Sequence, residues 1–422
     1  MSQKKDGRNS GPTVRLEVVP VTPYSEVRRD HLLNGLQVIS LYRPGDTVVK
    51  CDIVVRTGSM FDLIGKSGLA SLTQATLLAA NPRLKEELES LQARIDWGLN
   101  TDTTWFHIET PAAGFDTVFE ILSRLLVVEN VRNDSFAAAR KAQLDLVKSH
   151  QPTASERAEA AFFKTVYGDH PYGRSLHGTE ATIDSIKQGD VYDFFRRFYI
   201  ANNVSVTTVG NITQERVMRG FKVFFGGWSK GQLVPATFRQ PAQVTQLRVV
   251  KVEAPDSLNV ELRGGVIGVR HADPDYLTTV IMARILTARL KRDGEAIEVS
   301  SLPRILSGPF LFSASIPAER AQDVSQKATA QYASLATTPI SAEELAAAKA
   351  SLAGDYAARS VETFLREIEI YLLPRNYPLT VQRRIEEITA AEVQRVAQRL
   401  RDANALTIVA FGRVGESFKS SP

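Results

Sequence analysis

Nine residues in the middle of the chain, Ile183-Asp-Ser-Ile-Lys-Gln-Gly-Asp-Val191, recur 202 positions later as Ile385-Glu-Glu-Ile-Thr-Ala-Ala-Glu-Val393. The match continues at the same spacing to residue 212, over a stretch where chance gives about two identities at ordinary residue frequencies. Seven identities are present, at Ile183, Ile186, Val191, Arg197, Ala201, Asn202 and Gly210. Self-similarity at a fixed spacing indicates a duplicated structural unit.

Both copies end in the same order of elements. In each, a helical segment is followed by an apolar segment that stops at a glycine, which predicts a strand. The apolar residues are Val204, Val206 and Val209 before Gly210, and Leu406, Ile408 and Phe411 before Gly412. Upstream, Phe136-Ala-Ala-Ala-Arg140 is similar to Leu345-Ala-Ala-Ala-Lys349. We therefore predict an α+β protein with two homologous domains, each a sheet packed with helices.

Composition along the chain predicts the domain boundaries. Residues 1–14 are polar and are expected to form a disordered tail, and residues 15–228 form the N-terminal domain. Residues 229–246 are predicted to be a linker, because the joint is rich in Gly, Pro and Gln. Residues 247–422 form the homologous C-terminal domain.

The overall composition limits the function classes. With 51 basic and 47 acidic residues, the 422-residue chain has a net charge of +4, which is too small to indicate a nucleic-acid partner. No run of eighteen apolar residues occurs, so we expect no membrane-spanning helix. The polar first residues lack an apolar signal core, which predicts a cytoplasmic location, or a periplasmic one if a leader was removed.

A predicted helix over Gly68 to Ala80 connects the sequence to a known family. Gly68-Leu-Ala-Ser-Leu-Thr-Gln-Ala-Thr-Leu-Leu78 follows Arg56-Thr-Gly-Ser59, and Tyr167-Gly-Asp-His-Pro-Tyr-Gly173 comes later. In this order, these segments resemble the pitrilysin and mitochondrial-processing-peptidase superfamily of zinc metallopeptidases. The resemblance implies mostly antiparallel sheets, and a chain that forms one half of a clam-like peptidase. It also implies H-x-x-E-H directly after Gly-Leu-Ala.

In that motif two histidines hold zinc and a glutamate acts as general base. The matching positions here are Ser71, Gln74 and Ala75, and none of the three side chains can take the corresponding role. The resemblance places a distal glutamate ligand near Leu144 or Asp145, with Leu144 favoured. We therefore predict a degenerate site with no catalytic residue, metal or cofactor in this chain, and zinc in a partner subunit.

Other metal sites are poorly supported by the spacing of the histidines. His170 and His177 share one loop, where a loop role is favoured over a shared metal. His107, His150 and His271 are expected to be isolated. Cys51 lies in an alternating segment, which favours a buried, unreactive thiol over a nucleophile.

The second half offers a weaker site prediction. Catalytic relatives use an arginine and a tyrosine there to hold the substrate backbone, but the matching positions are Leu290 and Ile297. Arg289 and Arg292 remain as nearby cations, either as substrate-binding residues or as surface charges. Gly264-Gly265 predicts a strand bulge or a flexible substrate-guiding loop.

The leading functional hypothesis is a non-catalytic, peptide-binding subunit of a heterodimeric zinc metallopeptidase. The partner would be a zinc-bearing homologue, and a homodimer is possible when the chain is alone. The alternative is a structural or assembly subunit of a larger complex, similar to the respiratory-chain core proteins with this fold. A peptidase with a different site is a third, less favoured hypothesis.

Overall fold

A computed structural model describes residues 24–128, 131–233, 240–415 and Phe418. The predicted tail at residues 1–14 and part of the predicted linker, residues 234–239, lie outside the described residues. Two sheets account for the strands of this part of the chain. They contain β1 (Arg28–His31), β2 (Gln37–Tyr42), β3 (Val49–Val55), β4 (Arg94–Leu99), β5 (Thr104–Thr110), β6 (Val204–Gly210), β7 (Arg248–Glu253), β8 (Asn259–Ile267), β9 (Glu298–Ser301), β10 (Pro309–Pro317) and β11 (Thr407–Gly412).

The helices fall into two similar series, one in each half. The first half contains α1 (Leu69–Ala79), α2 (Leu84–Ser90), α3 (Phe115–Leu126), α4 (Asn133–Ser149), α5 (Ala154–Tyr167), α6 (Glu180–Ser185), α7 (Gln188–Phe198) and α8 (Gln214–Phe225). The second half contains α9 (Tyr276–Arg292), α10 (Ala321–Ser334), α11 (Ala342–Ala357), α12 (Val361–Tyr371), α13 (Tyr377–Glu387) and α14 (Ala390–Ala403).

The two sheets have the same topology. The first sheet has the order β1-β2-β6-β3-β5-β4 and the second has the order β7-β11-β8-β10-β9, which is equivalent once β1 is set aside. In each sheet one pair is parallel, β2 with β6 and β7 with β11, and the other pairs are antiparallel. The predicted fold class is therefore confirmed, with two homologous, mostly antiparallel α+β halves.

The two glycines of the repeat have the same structural role in both halves. Gly210 and Gly412 end equivalent strands with φ of +143° and +139°. A Cβ at Gly210 would lie 2.6 Å from the carbonyl oxygen of Val48, and one at Gly412 would lie 2.5 Å from that of Asn259. Both positions therefore require glycine, because the backbone conformation and the close approach each exclude a side chain.

The repeated asparagines also perform equivalent tasks. Asn202 Nδ2 donates to the carbonyl oxygen of Gly231 (2.8 Å), and the Gly231 N–H donates back to Asn202 Oδ1 (3.0 Å). The side chain of Asn404 accepts from the Val244 N–H (3.4 Å) and donates to the Ile267 carbonyl (3.1 Å). Each asparagine thus fixes backbone near the joint between the halves.

The helix predicted in the first half over residues 68–80 is present as α1. The turn between β1 and β2 contains Asn34-Gly35. Because β6 lies between β2 and β3, these two consecutive strands do not pair with each other. In the second half, Gly264 and Gly265 lie inside β8 and pair one-to-one with β10 and β11 in unbroken register. The favoured strand bulge and the alternative of a flexible loop are therefore both wrong.

Each half also supplies a helix to the other half. One face of each sheet packs against the helices of its own half and forms the larger core. The opposite face of the second sheet is covered by α5 from the first half, and that of the first sheet is partly covered by α12 from the second half. Among the described residues, no helix is long and apolar enough to span a membrane.

Candidate functional site

The helix with the degenerate motif, α1, starts at a tightly built corner. Gly68 precedes it with φ of +94°, and a Cβ there would lie 2.6 Å from the carbonyl oxygen of His177. The Asp62 carboxylate accepts hydrogen bonds from the N–H groups of Gly68 (2.7 Å) and Ala70 (2.8 Å). Burial raises the pKa of Asp62 to about 7, although these donors and Arg174 oppose the shift. A buried carboxylate and a glycine therefore fix the start of the helix.

The three degenerate positions share one face of α1, because they are spaced three and four residues apart. Ser71 is buried, and its Oγ lies 3.0 Å from Nδ1 of His177. Gln74 is buried, and its Nε2 donates to the carbonyl oxygen of Gly98 (3.1 Å). Ala75 is half-buried and ends in a methyl group. These side chains do not fit a zinc ion, because they offer neither an imidazole nor a carboxylate.

The helix expected to supply the distal ligand, α4, packs against α1. Gln143 is one of the buried residues of this helix, and its Nε2 donates to the carbonyl oxygen of His177 (2.8 Å). Leu144 is half-buried, and the exposed Asp145 carboxylate lies 2.6 Å from Nζ of Lys141 on the helix surface. The carboxylate nearest the expected position is thus engaged with a lysine of its own helix.

The two histidines of the Gly-Pro-rich loop serve different neighbours. His170 Nδ1 accepts a hydrogen bond from the N–H of Tyr172 (3.2 Å), whereas His177 contacts Ser71. Burial and, to a smaller extent, the nearby His150 lower the pKa of His177. In the part of the chain that the structure describes, no three His, Cys, Asp or Glu side chains group to hold a metal ion.

Two other histidines have defined surroundings. His107, expected to be isolated, is paired: its Nδ1 lies 2.8 Å from Oδ1 of Asp52, and this hydrogen bond raises the pKa of His107. The prediction failed because the pairing joins β3 to β5 across the sheet. His271 lies buried between the rings of Tyr276 and Tyr371, with centroids 4.1 and 4.4 Å away, and burial lowers its pKa to about 3.

Arg289 and Arg292 lie at the end of α9, beside a cavity of about 560 Å³. Arg289 is 5% exposed, and its Nε and Nη2 donate to the Glu344 carboxylate at 3.0 and 2.8 Å. These bonds hold the pKa of Glu344 at about 2. Arg292 also donates to Glu344 (3.1 Å) but is largely exposed. Arg289 is thus engaged in a buried ion pair, and a peptide contact by Arg292 stays a prediction.

The edge strand β4 lies beside the degenerate helix. It pairs with β5 on one side only. The side chain of Gln74 in α1 donates a hydrogen bond to the carbonyl oxygen of Gly98 in β4. The indole of Trp105 covers Gly98, where a Cβ would lie 2.5 Å from the ring. An exposed edge can take an extended peptide as a further strand. The helix that holds the zinc motif in catalytic relatives therefore contacts a potential peptide-binding edge here.

Sequence reasoning missed two features of this region. The contact between Gln143 and the start of α1 has no sequence signal, because it depends on helix packing. The polar face of the first sheet does have a sequence signal, because polar or aromatic residues alternate with apolar ones in β3 and β5. These residues are Lys50, Asp52, Trp105, His107 and Glu109.

Two similar α+β halves, with a motif helix that lacks zinc ligands, define the fold that this chain shares with metallopeptidase-like proteins. Residues 185–352 match the family model described as peptidase M16 inactive domain. The zinc protease PqqE of Helicobacter pylori is 25% identical over 205 residues, which cover 46% of this chain and 45% of that protein. A probable mitochondrial-processing peptidase subunit beta of Schizosaccharomyces pombe is 22% identical over 266 residues, which cover 60% and 57%. The chain spans about half the length of these curated relatives.

Several solved structures have the same fold over more than nine-tenths of this chain, although their sequence identity to it is low. A peptidase M16 inactive domain from Pseudomonas fluorescens has a TM-score of 0.83 at 21% identity, covering 92% of this chain and 98% of that one. The periplasmic protease PqqL from Escherichia coli has a TM-score of 0.79 at 16% identity, covering 93% and 48%. A chain of complex III from Candida albicans has a TM-score of 0.80 at 13% identity, covering 93% and 97%.

These matches confirm the predicted resemblance to peptidase M16 proteins of the pitrilysin and mitochondrial-processing-peptidase superfamily. The description of the family model, an inactive domain, is consistent with the vacant ligand positions on α1.

Proposed function

We propose that this chain is the non-catalytic, peptide-binding subunit of a heterodimeric zinc metallopeptidase. The observation that carries the proposal is a two-half fold, similar to that of M16 structures, around a motif helix whose side chains cannot bind zinc. Ser71 contacts His177 and Gln74 holds the Gly98 carbonyl, so the polar substitutes take part in internal packing. A zinc-bearing homologue supplies the metal, the attacking water and the general base.

The edge of the first sheet supports the peptide-binding part of the proposal. An extended peptide that adds to β4 gains main-chain hydrogen bonds without a large pocket. The bond between Gln74 and Gly98 fixes the edge strand to α1. The chain thus contributes to cleavage by presenting peptide to the partner's zinc, and it carries out no chemical step itself.

Reconstitution with a zinc-bearing partner tests this function. The chain is co-expressed with a homologue from the same genome that has an intact H-x-x-E-H motif, and the products are separated by size exclusion. Peptide cleavage is then measured for each chain alone and for the mixture. We expect a heterodimer that cleaves peptide and a lone chain that does not. Chelator-sensitive cleavage by the lone chain, with stoichiometric zinc, would contradict the proposal.

The resemblance to a complex III chain supports a second candidate, a structural subunit of a larger assembly. This candidate predicts stable association with a large complex and no effect of the chain on peptide turnover. The same reconstitution separates the two, because only the first candidate raises cleavage by the partner. We propose a cytoplasmic location, with the periplasm as the alternative suggested by the Escherichia coli relative, and cell fractionation distinguishes them.

Restoration of the motif tests the loss of the metal site. We expect the triple variant Ser71→His, Gln74→Glu, Ala75→His to take up zinc at most weakly, because Asp145 pairs with Lys141 on the outer surface of α4. Zinc per chain after dialysis measures the outcome. The single variant Ala75→His serves as the control with one imidazole. Tight, stoichiometric zinc in the triple variant would show that a third carboxylate reaches the site.

A further inference from the structure

A groove of about 450 Å³ opens on the face of the first sheet that α12 covers only in part. The sheet and the helix both contribute to its walls. The residues that matter are Lys50, Asp96, Trp105 and His107 from the sheet, and Glu362 and Arg366 from α12. Because Asp96 belongs to β4, the groove reaches the edge strand to which a peptide would add.

The cations of this groove already have carboxylate partners. Lys50 Nζ lies 3.7 Å from Oε1 of Glu362. Arg366 Nη1 lies 3.3 Å from Oδ1 of Asp52, and His107 shares the same oxygen at 2.8 Å. Asp52 is 4% exposed, so this arrangement is partly desolvated and fixed. The positive charge along the groove is therefore largely compensated from within.

The carboxylate of Asp96 differs from the other charged groups of the groove because it has no partner of opposite charge among the described residues. Asp96 lies opposite His107 in the strand register and is exposed. Among the described residues, its carboxylate has neither a hydrogen bond nor an ion pair. The neighbouring wall is the indole of Trp105, which is half-buried over Gly98. By contrast, Trp97 already has Lys85 4.8 Å from its ring centroid. The groove therefore combines an available negative charge with an aromatic surface.

We propose that this groove binds a lysine or arginine side chain of the peptide that adds to β4, an inference that rests on the proposed function. An ammonium or guanidinium group is attracted both by a carboxylate and by the face of an indole. Asp96 and Trp105 lie on paired strands, so one side chain from a neighbouring peptide strand can reach both. An acidic side chain would meet the unpaired charge of Asp96 instead.

A peptide series tests the proposal on the full chain. The peptides are extended, carry a single arginine at each position in turn, and have counterparts with norleucine or glutamate at that position. Binding is measured by titration calorimetry. At one position we expect arginine to bind about fivefold more tightly than norleucine, as for an exposed cation–π and ion-pair contact, and glutamate to bind most weakly.

Variants of Asp96 test whether the preference for an arginine side chain comes from the groove. We expect Asp96→Asn to reduce the arginine preference to the part that the Trp105 indole supplies and to leave norleucine binding unchanged, and Asp96→Lys to favour glutamate. Asp323→Asn, which changes an exposed carboxylate of the second half, should behave as wild type. Equal binding of all peptides, or an arginine preference that Asp96→Asn leaves undiminished, overturns the inference and leaves peptide binding intact. Binding of none of the peptides overturns both the inference and the peptide-binding function.

Discussion

Two helices, α5 and α12, each cover the sheet of the other half in equivalent places, but the two interfaces differ. We call the interface of α12 with the first sheet the first seam, and that of α5 with the second sheet the second seam. On the second sheet, α5 buries Phe162 and Val166 against Ile267, Leu311 and Val409 in one apolar cluster. On the first sheet, α12 buries Val361 and Leu365 against Ile39, Leu41 and Val209, and then continues over charged residues. The same topology therefore closes one sheet with apolar packing and leaves part of the other polar and open.

The charged groups of the two seams differ in the same way. In the second seam Arg263 is 5% exposed, and it donates to Ser155 Oγ of α5 (2.5 Å) and lies 3.4 Å from Glu261. In the first seam Arg366 is about one-third exposed and reaches a sheet carboxylate, Asp52. Burial makes an unpaired charge costly, and the buried Arg263 has both a hydroxyl and a carboxylate as partners. The first seam remains open to solvent, as a binding groove must be.

The largest predicted effect comes from the apolar seam. Phe162→Ala removes a fully buried ring from α5, and we expect the free energy of unfolding to fall by about 4 kcal/mol. Leu365→Ala in α12 removes a smaller buried side chain and should cost about 3 kcal/mol. Urea denaturation measures both, with Leu146→Ala, at an exposed leucine, as the control. A larger loss for Leu365→Ala than for Phe162→Ala would contradict the contrast between the seams.

The internal repeat could be detected in the sequence because some of its positions must keep one residue type to satisfy the backbone conformation. Gly210 and Gly412 have positive φ values and close backbone neighbours, so these positions admit no other residue. No residue type in the sequence shows that α5 and α12 each pack on the sheet of the other half. An amphipathic helix indicates that one face is buried, but not which of two similar sheets will bury it. Strand order is hidden for the same reason, since β6 inserts between β2 and β3 from about 150 residues away.

A second prediction concerns Asp52, which anchors the charged seam. Its hydrogen bond raises the pKa of His107 above the ordinary 6.5. The pair therefore adds stability at pH values below the ordinary pKa, and this contribution is lost as pH rises through the raised pKa of the folded state. Asp52→Asn should lower the free energy of unfolding by about 2 kcal/mol at pH 6 and by less at pH 8.

Urea denaturation at several pH values measures this dependence. His107→Gln should remove the same pH dependence while keeping Asp52, and Glu156→Gln, next to the exposed His150, is the control. If Asp52→Asn keeps the wild-type pH dependence, then His107 does not titrate through this pair, and the first seam resembles the second more closely than we infer.

The candidate site was only partly predictable. The loss of zinc ligands could be seen in Ser71, Gln74 and Ala75, because the motif is local and its chemistry depends on residue type. What the substitutes do instead could not be seen, since the contacts of Ser71 with His177 and of Gln74 with Gly98 join residues far apart in sequence. The groove was likewise hidden because α12 comes from the other half.

The smallest predicted effect concerns the rim of the groove. Lys50 is 38% exposed and lies 3.7 Å from Glu362, so its ion pair is long and open to solvent. Lys50→Met should lower the free energy of unfolding by no more than about 0.5 kcal/mol at low salt, and the difference should vanish at high salt because ions screen an exposed pair. Urea midpoints at the two salt concentrations measure it. A salt-independent loss above about 2 kcal/mol would mean that Lys50 is packed as tightly as Arg263, and that the open seam is closed in solution.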